Sequence, residues 1–373
     1  MSSLIDKIKK NSTFKTVKTL DKSELLKDTD NIVTDMPVLN LAFSGELDKG
    51  FRSGLIQFAG PSKHFKTNLS LVCVRSFFDK YDEGICLFFD SEFGITEEYL
   101  LAQGIDPERV IHIPIMNIEE LKFEIIAQLN GLAKEDKVII LIDSIGNLAS
   151  KKEVEDAQNE KSVADMSRAK QLKSLFRMVT PYLTMKDIPL IAINHSYQTQ
   201  EMYSKTVVSG GTGAMYSSNV VFVLGRQQDK DGKDLTGYTF VINIEKSREV
   251  REKSKLMFSV SFEGGINRYS GLLDIGLASG HVVSEKQGWY QRSINGQIQD
   301  QKFRKKDVEN KEFWEPILKD DTFKEACKKI FKVSYIDNRP FETIVEEDYD
   351  NEEFTSPEFE EYIANLDNLP DDM

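Results

Sequence analysis

GLIQFAGPSKHFKT, Gly54 to Thr67, is the stretch that decides the fold. It starts as a short apolar strand and breaks at Gly60-Pro61. It ends on Lys-Thr at the head of TNLSLVCVRSFFDKY (Thr67 to Tyr81), which reads as a helix. Strand, loop and helix in that order form the setting that a phosphate-binding loop, G-x-x-x-x-G-K-[ST], requires. On this reading Gly60, Pro61, Ser62, Lys63, His64, Phe65, Lys66, Thr67 and Asn68 surround a nucleotide's phosphates. Lys66 reaches the β and γ phosphates, and Thr67 sets its hydroxyl on Mg²⁺. Backbone N–H groups at the head of the helix cradle the oxygens. Phe65 stands where the pattern has glycine, so the backbone must manage there without glycine's freedom. A polar turn with a chance Lys-Thr is the plainer alternative.

Outward from this loop, apolar strands alternate with helical patterns. ICLFFD (Ile85 to Asp90), VIHIPI (Val110 to Ile115), VIILID (Val138 to Asp143) and PLIAIN (Pro189 to Asn194) read as buried strands. ITEEYLLAQ, with Thr96 as N-cap, IEELKFEIIAQLNGLA, ending near Gly131, and SRAKQLKSLFRMVTPYL read as helices. VVFVLG (Val220 to Gly225) and TFVINIEK (Thr239 to Lys246) are further strands. The expected fold class is α/β: a P-loop ATPase core whose central sheet is mostly parallel and flanked by helices. A small α+β segment should follow it. The expected divisions are 1–30 outside the core, 31–270 as core, 271–340 as the small domain and 341–373 as an acidic, disordered tail.

Strand ends in such a sheet are where ligands bind. Asp143 closes a fully apolar strand and is placed to hold Mg²⁺, directly or through water, together with Thr67. Asp90 and Glu92 close the neighbouring strand, and alternation puts both on one face. Glu92 is the candidate general base and Asp90 its support; a solvated loop carboxylate is the alternative for Glu92. Asn194 and His195 face the same crevice, and His195 could sense a γ phosphate or simply pack. His64, His112 and His281 form no metal constellation with it.

The net charge of −13 argues at first sight against nucleic acid. Much of it, however, lies in EEDYDNEEFTSPEFEEYIANLDNLPDD, Glu346 to Asp372. Basic residues cluster elsewhere, in Ser167 to Arg177 and Glu245 to Lys255, either as phosphate-binding faces or as solvated surface. Cys73, Cys86 and Cys327 lack metal or redox spacing and suit a reducing cytosol. No apolar run reaches the ~18 residues of a membrane span. MSSLIDKIKKN has no apolar core, so neither a signal peptide nor a membrane partner is expected.

GPSKHFKT, FFDSEFGITEEYL, DPERVIH, IDSIGNLASKKE, RAKQLKSLFR, INHSYQTQEM, GGTGAMYS and VINIEKSR resemble the phage UvsX group of the RecA recombinase family along nearly the whole chain. Phenylalanine before the phosphate-loop lysine is that group's habit. SGLLDIGLASGHV followed by GWY resembles the RecA C-terminal domain. The resemblance implies a RecA-type fold and an ATP-dependent recombinase. It implies helical filaments on single-stranded DNA, pairing with homologous duplex DNA, and roles in recombination, repair and replication. It further implies ATP and Mg²⁺ held between subunits, an N-terminal polymerisation arm, and work in the cytoplasm of an infected bacterium. A recombination mediator and a single-strand-binding protein are the implied partners.

By resemblance, Lys66 and Thr67 hold phosphates and metal, Asp143 is the metal-binding acid and Glu92 the base. Tyr99 stacks on the adenine. Lys246 and Arg248 reach the neighbouring subunit's ATP, where an unaided reading sees a charged edge strand. Two segments would face DNA. One is the loop after Asn147, into Arg168. The other is the irregular stretch Ser196 to Gly211, with Tyr197, Tyr203, Lys205, Gly210 and Gly211; nearby Arg226 would assist. A hexameric helicase of the same superfamily and a non-hydrolysing scaffold remain the rival readings.

Overall fold

The computed structural model describes residues 2–14, 17–23, 30–159, 167–198, 206–232 and 234–333. A short amphipathic helix, α1 (Ser2–Asn11), opens the chain with Leu4 and Ile8 exposed. The core begins at Ile32, which is buried and bridges to Phe51. Helix α2 (Pro37–Ser44) then leads into β1 (Gly54–Ala59) and α3 (Lys66–Lys80). Next come β2 (Ile85–Asp90), α4 (Glu97–Ala102), β3 (Val110–Pro114), α5 (Ile118–Gly131) and β4 (Val138–Asp143). After α6 (Lys151–Gln158) and α7 (Ser167–Lys186) the chain runs through β5 (Pro189–Asn194). A small hairpin, β6 (Ser196–Gln198) with β7 (Thr206–Val208), precedes α8 (Thr212–Ser217). The large sheet is completed by β8 (Val220–Asp231), β9 (Asp234–Lys246), β10 (Lys255–Ser261) and β11 (Gly265–Asn267).

These strands form one nine-stranded sheet, ordered β11-β10-β9-β8-β1-β5-β4-β2-β3. From β8 to β3 every pairing is parallel, while β9, β10 and β11 add antiparallel strands at one edge. The parallel half therefore matches the sequence pattern, because strands buried on both faces are apolar throughout. Alternation then sorts the side chains. Ile56, Phe58, Phe88 and Leu141 pack under α2 and α3, whereas Leu55, Phe89, Ile140 and Ile142 pack under α5 and α7. The β8–β9 hairpin runs well beyond its apolar stretches. Its outer part is polar and stays paired through a register shift at Asp229–Lys230, so hydrophobic pattern alone could not show it.

The C-terminal segment carries α9 (Leu272–Ala278), the sheet β12 (Val282–Lys286), β13 (Trp289–Ile294) and β14 (Gln297–Arg304), then α10 (Lys311–Leu318) and α11 (Asp321–Phe331). Its buried Phe313, Trp314 and Phe323 belong to the same continuous core as α2 and α3. The chain leaves this segment beside the main sheet, where Val333 N–H donates to Glu249 O at 2.8 Å. All three cysteines are buried, and burial pushes their thiols up, Cys86 to about 12. No helix among the described residues is long and apolar enough to cross a membrane. The acidic tail lies outside the described residues.

Candidate active site and DNA-facing surface

The phosphate loop joins β1 to α3 at the carboxyl edge of the sheet. Phe65, the N-cap residue of α3, has φ 62°, the left-handed conformation that glycine would adopt freely, and Lys63 shares it at φ 63°. Such a residue costs roughly 1–3 kcal/mol. The ring offsets this by packing at 4.9 Å from Phe240 and 5.9 Å from Phe258, since each aromatic pair contributes about 0.5–1.5 kcal/mol beyond its buried area. Lys66 is buried and folds over its own loop, donating to Gly60 O (2.9 Å) and Pro61 O (2.7 Å). Burial lowers its pKa against the opposing pull of Glu92 and Asp143. His64 leans back on Ser62 O.

Thr67 Oγ1 donates to Asp143 Oδ2 at 2.8 Å. Asp143 is 4 % exposed, and burial pushes its pKa up to about 6, with Glu92 and Asp90 adding repulsion. Its second oxygen, Oδ1, is buried without a hydrogen-bond partner. A hydroxyl and a carboxylate with one unsatisfied hard oxygen suit a divalent cation such as Mg²⁺. No group of three or more His, Cys, Asp or Glu forms a metal cage among the described residues.

Glu92 does not sit on the strand with Asp90, as alternation suggested. Strand β2 ends at Asp90, whose buried Oδ1 accepts from Glu92 N (3.0 Å) and Phe93 N (2.8 Å), while Oδ2 meets His112 Nε2 at 3.1 Å. A turn built on the Asp90 carboxylate therefore presents Glu92. Its Oε1 accepts from Ser144 Oγ (2.7 Å) and Asn147 Nδ2 (2.9 Å), and His195 Nε2 lies 3.6 Å away. The imidazole first, then the Ser144 hydroxyl, hold Glu92 below the ordinary carboxylate range despite partial burial. Asn147 Oδ1 stands 3.0 Å from His195 Nε2, and because its amide donates to Glu92, the imidazole nitrogen must be the donor. Gly146 makes this possible, since a Cβ there would fall 2.2 Å from His195 Cδ2. Asn194 is turned away from His195's crevice, into Gln57 and Ser209.

The remaining expectations divide. Tyr99 is half-buried beside a cavity of about 350 Å³ lined by Phe65, Asn68, Gln103, Gly265 and Arg268, but is not in its lining. Lys246 ends β9 and donates to Met215 O and Tyr216 O, both at 3.0 Å, at the end of α8; Arg248 just beyond is exposed. The stretch Ser196 to Gly211, expected to be irregular, is a hairpin at its base, where Ser196–Gln198 pair with Thr206–Val208. Three-residue strands are too short for alternation to reveal. Tyr197 on it is 57 % exposed. Gly210 (φ 90°) and Gly211 (φ 75°) lead into α8. Tyr203 and Lys205 lie outside the described residues.

Two residues expected to face DNA make contacts within the chain. The Arg226 guanidinium lies 4.6 Å over the Tyr238 ring and donates to Lys63 O at 3.2 Å, on the phosphate loop. Arg168 reaches back into the protein, donating to Leu148 O, Ile145 O, Gly146 O and Ser209 Oγ. The loop after Asn147 that leads to it also holds helix α6, with a capping box at Ser150 and Glu153. Neither bond network was signalled by motif or periodicity.

Residues 1–267 match the model of the RecA N-terminal domain, and residues 269–327 match that of the C-terminal domain of the bacteriophage T4 recombination and repair protein. The chain belongs to the RecA family. It is 49% identical over 370 residues to the recombination and repair protein of Enterobacteria phage T4, covering 96% of this chain and 94% of that one. Protein RecA of Bacteroides thetaiotaomicron is 25% identical over 284 residues (73% and 83% of the two chains), and Protein RecA of Nostoc sp. 26% over 270 residues (72% of each). As a RecA-family recombinase the chain is a DNA-dependent ATPase that serves recombination and repair.

Proposed function

We propose that this recombinase assembles as a helical filament on single-stranded DNA, pairs it with homologous duplex and exchanges strands, with ATP held between neighbouring subunits. The observation that carries the reading is the Glu92 carboxylate, ionised and aimed by Ser144, Asn147 and His195 beside the Thr67–Asp143 pair. In this site Lys66 would neutralise the β and γ phosphates. Thr67 and Asp143 would hold Mg²⁺, which supplies charge neutralisation across the phosphates. Glu92 would orient water and accept its proton. His195 would report the γ phosphate to the segment that follows it, and Tyr99 would flank the base.

The strand registers support a role for Lys246 and Arg248 in trans. Lys246 pairs with Val221, which lies level with Gln57, three residues before Gly60. Lys246 thus sits by the amino end of β8, its Nζ on Met215 O and Tyr216 O, and Arg248 follows beyond the end of β9, both away from their own phosphate loop at the carboxyl edge. Like an arginine finger, they would complete a neighbour's site and tie hydrolysis to assembly. Helix α1, with its exposed Leu4 and Ile8, suits the polymerisation arm. Tyr197, Gly210 and Gly211, together with Tyr203 and Lys205, would line the DNA path. A mediator and a single-strand-binding protein would be its partners in the cytoplasm of the infected host, and replication would draw on the same activity.

Steady-state ATP hydrolysis, measured with and without single-stranded DNA over a range of protein concentrations, tests this reading. The expected result is strong stimulation that rises cooperatively with protein. A rate strictly proportional to protein at every concentration would contradict a site completed between subunits.

A further inference from the structure

We infer that Arg251 and Val333 are positioning residues: through them the end of helix α11 sets the turn that carries Arg248, and so the aim of the cation offered to a neighbouring subunit's ATP, resting on the shared site proposed above. The turn lies between β9 and β10. Ser247 Oγ accepts from Glu249 N–H (3.1 Å) and Val250 N–H (3.0 Å), and Arg248 stands exposed between buried Ser247 and Val250. Residues 331–333 meet this turn as a short antiparallel bridge, with Val250 opposite Lys332. Val333 N–H donates to Glu249 O at 2.8 Å, and Arg251 N–H to Phe331 O at 2.9 Å. The Arg251 guanidinium reaches further along the helix, donating from Nη2 to Lys329 O at 2.9 Å.

The end of α11 is itself fixed. Phe331 is buried in the core shared with α2. Lys332 lies against the C-cap of α2, where a Cβ on Gly45 would fall 2.9 Å from Lys332 Cα, and its ammonium pairs with Glu46. Glu249 is tied from its other side, with Arg52 Nε 3.4 Å from its carboxylate. The strand ends hold the base of the turn, Lys253 N–H donating to Ile244 O at 2.8 Å, whereas its outer part, Glu249 to Arg251, takes backbone partners from 331–333. A cation that stabilises charge on a phosphate works only when it is placed, and a displacement of about 1 Å can cost a hundredfold in rate. A slackened turn leaves Arg248 present and charged but no longer aimed, so turnover falls while the fold is kept.

Val333→Pro removes the N–H donor to Glu249 O, and Lys332 already has the extended backbone (φ −77°, ψ 138°) that a following proline requires. Val333→Ala keeps the donor. At saturating single-stranded DNA, ATP turnover should fall about fivefold in Val333→Pro and in Arg251→Ala, and stay near the parent in Val333→Ala. Arg251→Ala serves alone if Val333→Pro fails to fold. Mixing on DNA then locates the fault. Glu92→Gln supplies sound cations without the base, and Lys246→Ala/Arg248→Ala supplies the base without the cations. Mixed one-to-one with Glu92→Gln, either slowed variant should reach about 30% of parent turnover, because random assembly gives its intact base a sound neighbour at about a quarter of the interfaces. Mixed with Lys246→Ala/Arg248→Ala it should reach only about 10%, because every working interface then carries the slackened turn. Equal recovery in the two mixtures, or the reverse order, places the fault outside the turn and overturns the inference. So does parent-like turnover in either variant, or a Val333→Ala as slow as Val333→Pro. A mixture of Glu92→Gln with Lys246→Ala/Arg248→Ala that stays inactive would instead remove the shared site itself.

Discussion

At the scale of single residues, two side chains hold conformations or charge states that their surroundings must stabilise. Phe65 is left-handed where glycine would be at ease, and its ring is anchored on Phe240 and Phe258. Removing the ring should therefore cost about 2 kcal/mol in Phe65→Ala. Phe65→Gly should cost about 1 kcal/mol less than Phe65→Ala, because it also relieves the backbone, despite glycine's greater freedom when unfolded. Urea denaturation of both variants checks that order. Asp143 is pushed up to about 6 by burial, so folding favours its neutral form. The cost of ionising it appears as pH rises above the unfolded value of about 4 and is complete above about 6. Asp143→Asn should thus flatten the fall in stability of the nucleotide-free protein across that window and raise Tm at pH 7 by a few degrees, corresponding to about 1–3 kcal/mol, while hydrolysis is lost. Thermal unfolding at pH 4.5 and 7 reads both effects. The phosphate loop and Asp143 were legible in the sequence because each stands beside a strand whose apolar run is unmistakable. The left-handed brace at Phe65 was not, because Phe240 and Phe258 are distant in sequence and carry no motif.

At the scale of elements, the site is assembled by the turns that follow β1, β2, β4 and β5 at one edge of the sheet. Each turn borrows a partner from another strand end: Ser91 N–H donates to Asp143 O, Ile145 N–H to Ile193 O, and Ser196 N–H to Gly60 O. Helix and strand placement followed from periodicity and caps, since Thr96 does accept from Tyr99 N–H and α5 does end at Gly131. The interlocking of the turns was out of reach, because polar contacts between segments so far apart in the chain leave no period. Asp90 shows the limit: alternation placed Glu92 on a strand face, yet the strand stops and a carboxylate-built turn takes over. Gly146 offers the sharpest test of the interlock. In Gly146→Ala the new Cβ must displace the His195 ring, and kcat should fall about tenfold, ~1.4 kcal/mol of barrier, with KM for ATP near the parent. An unchanged kcat would mean that the His195–Asn147–Glu92 contact has no part in turnover.

At the scale of the whole molecule, the fold separates what the proposed function makes the two halves of one chemical site. Glu92, Lys66 and Asp143 lie at the carboxyl edge of the parallel strands, whereas Lys246 lies by the amino end of β8 and Arg248 just beyond β9. A head-to-tail contact can bring unlike edges of successive copies together and repeat without closing, which is the geometry of a helical filament. A net charge of −13 is compatible with handling DNA because the acidic surplus is concentrated in the tail and the basic segments lie elsewhere in the sequence. The most direct measurement mixes two inactive proteins on single-stranded DNA, Glu92→Gln, which keeps Lys246 and Arg248, and the double variant Lys246→Ala/Arg248→Ala, which keeps Glu92. At a one-to-one ratio, random assembly leaves about a quarter of the interfaces with both halves intact, so about a quarter of the parent ATP turnover should return. A mixture as inactive as its components would contradict a site shared between subunits.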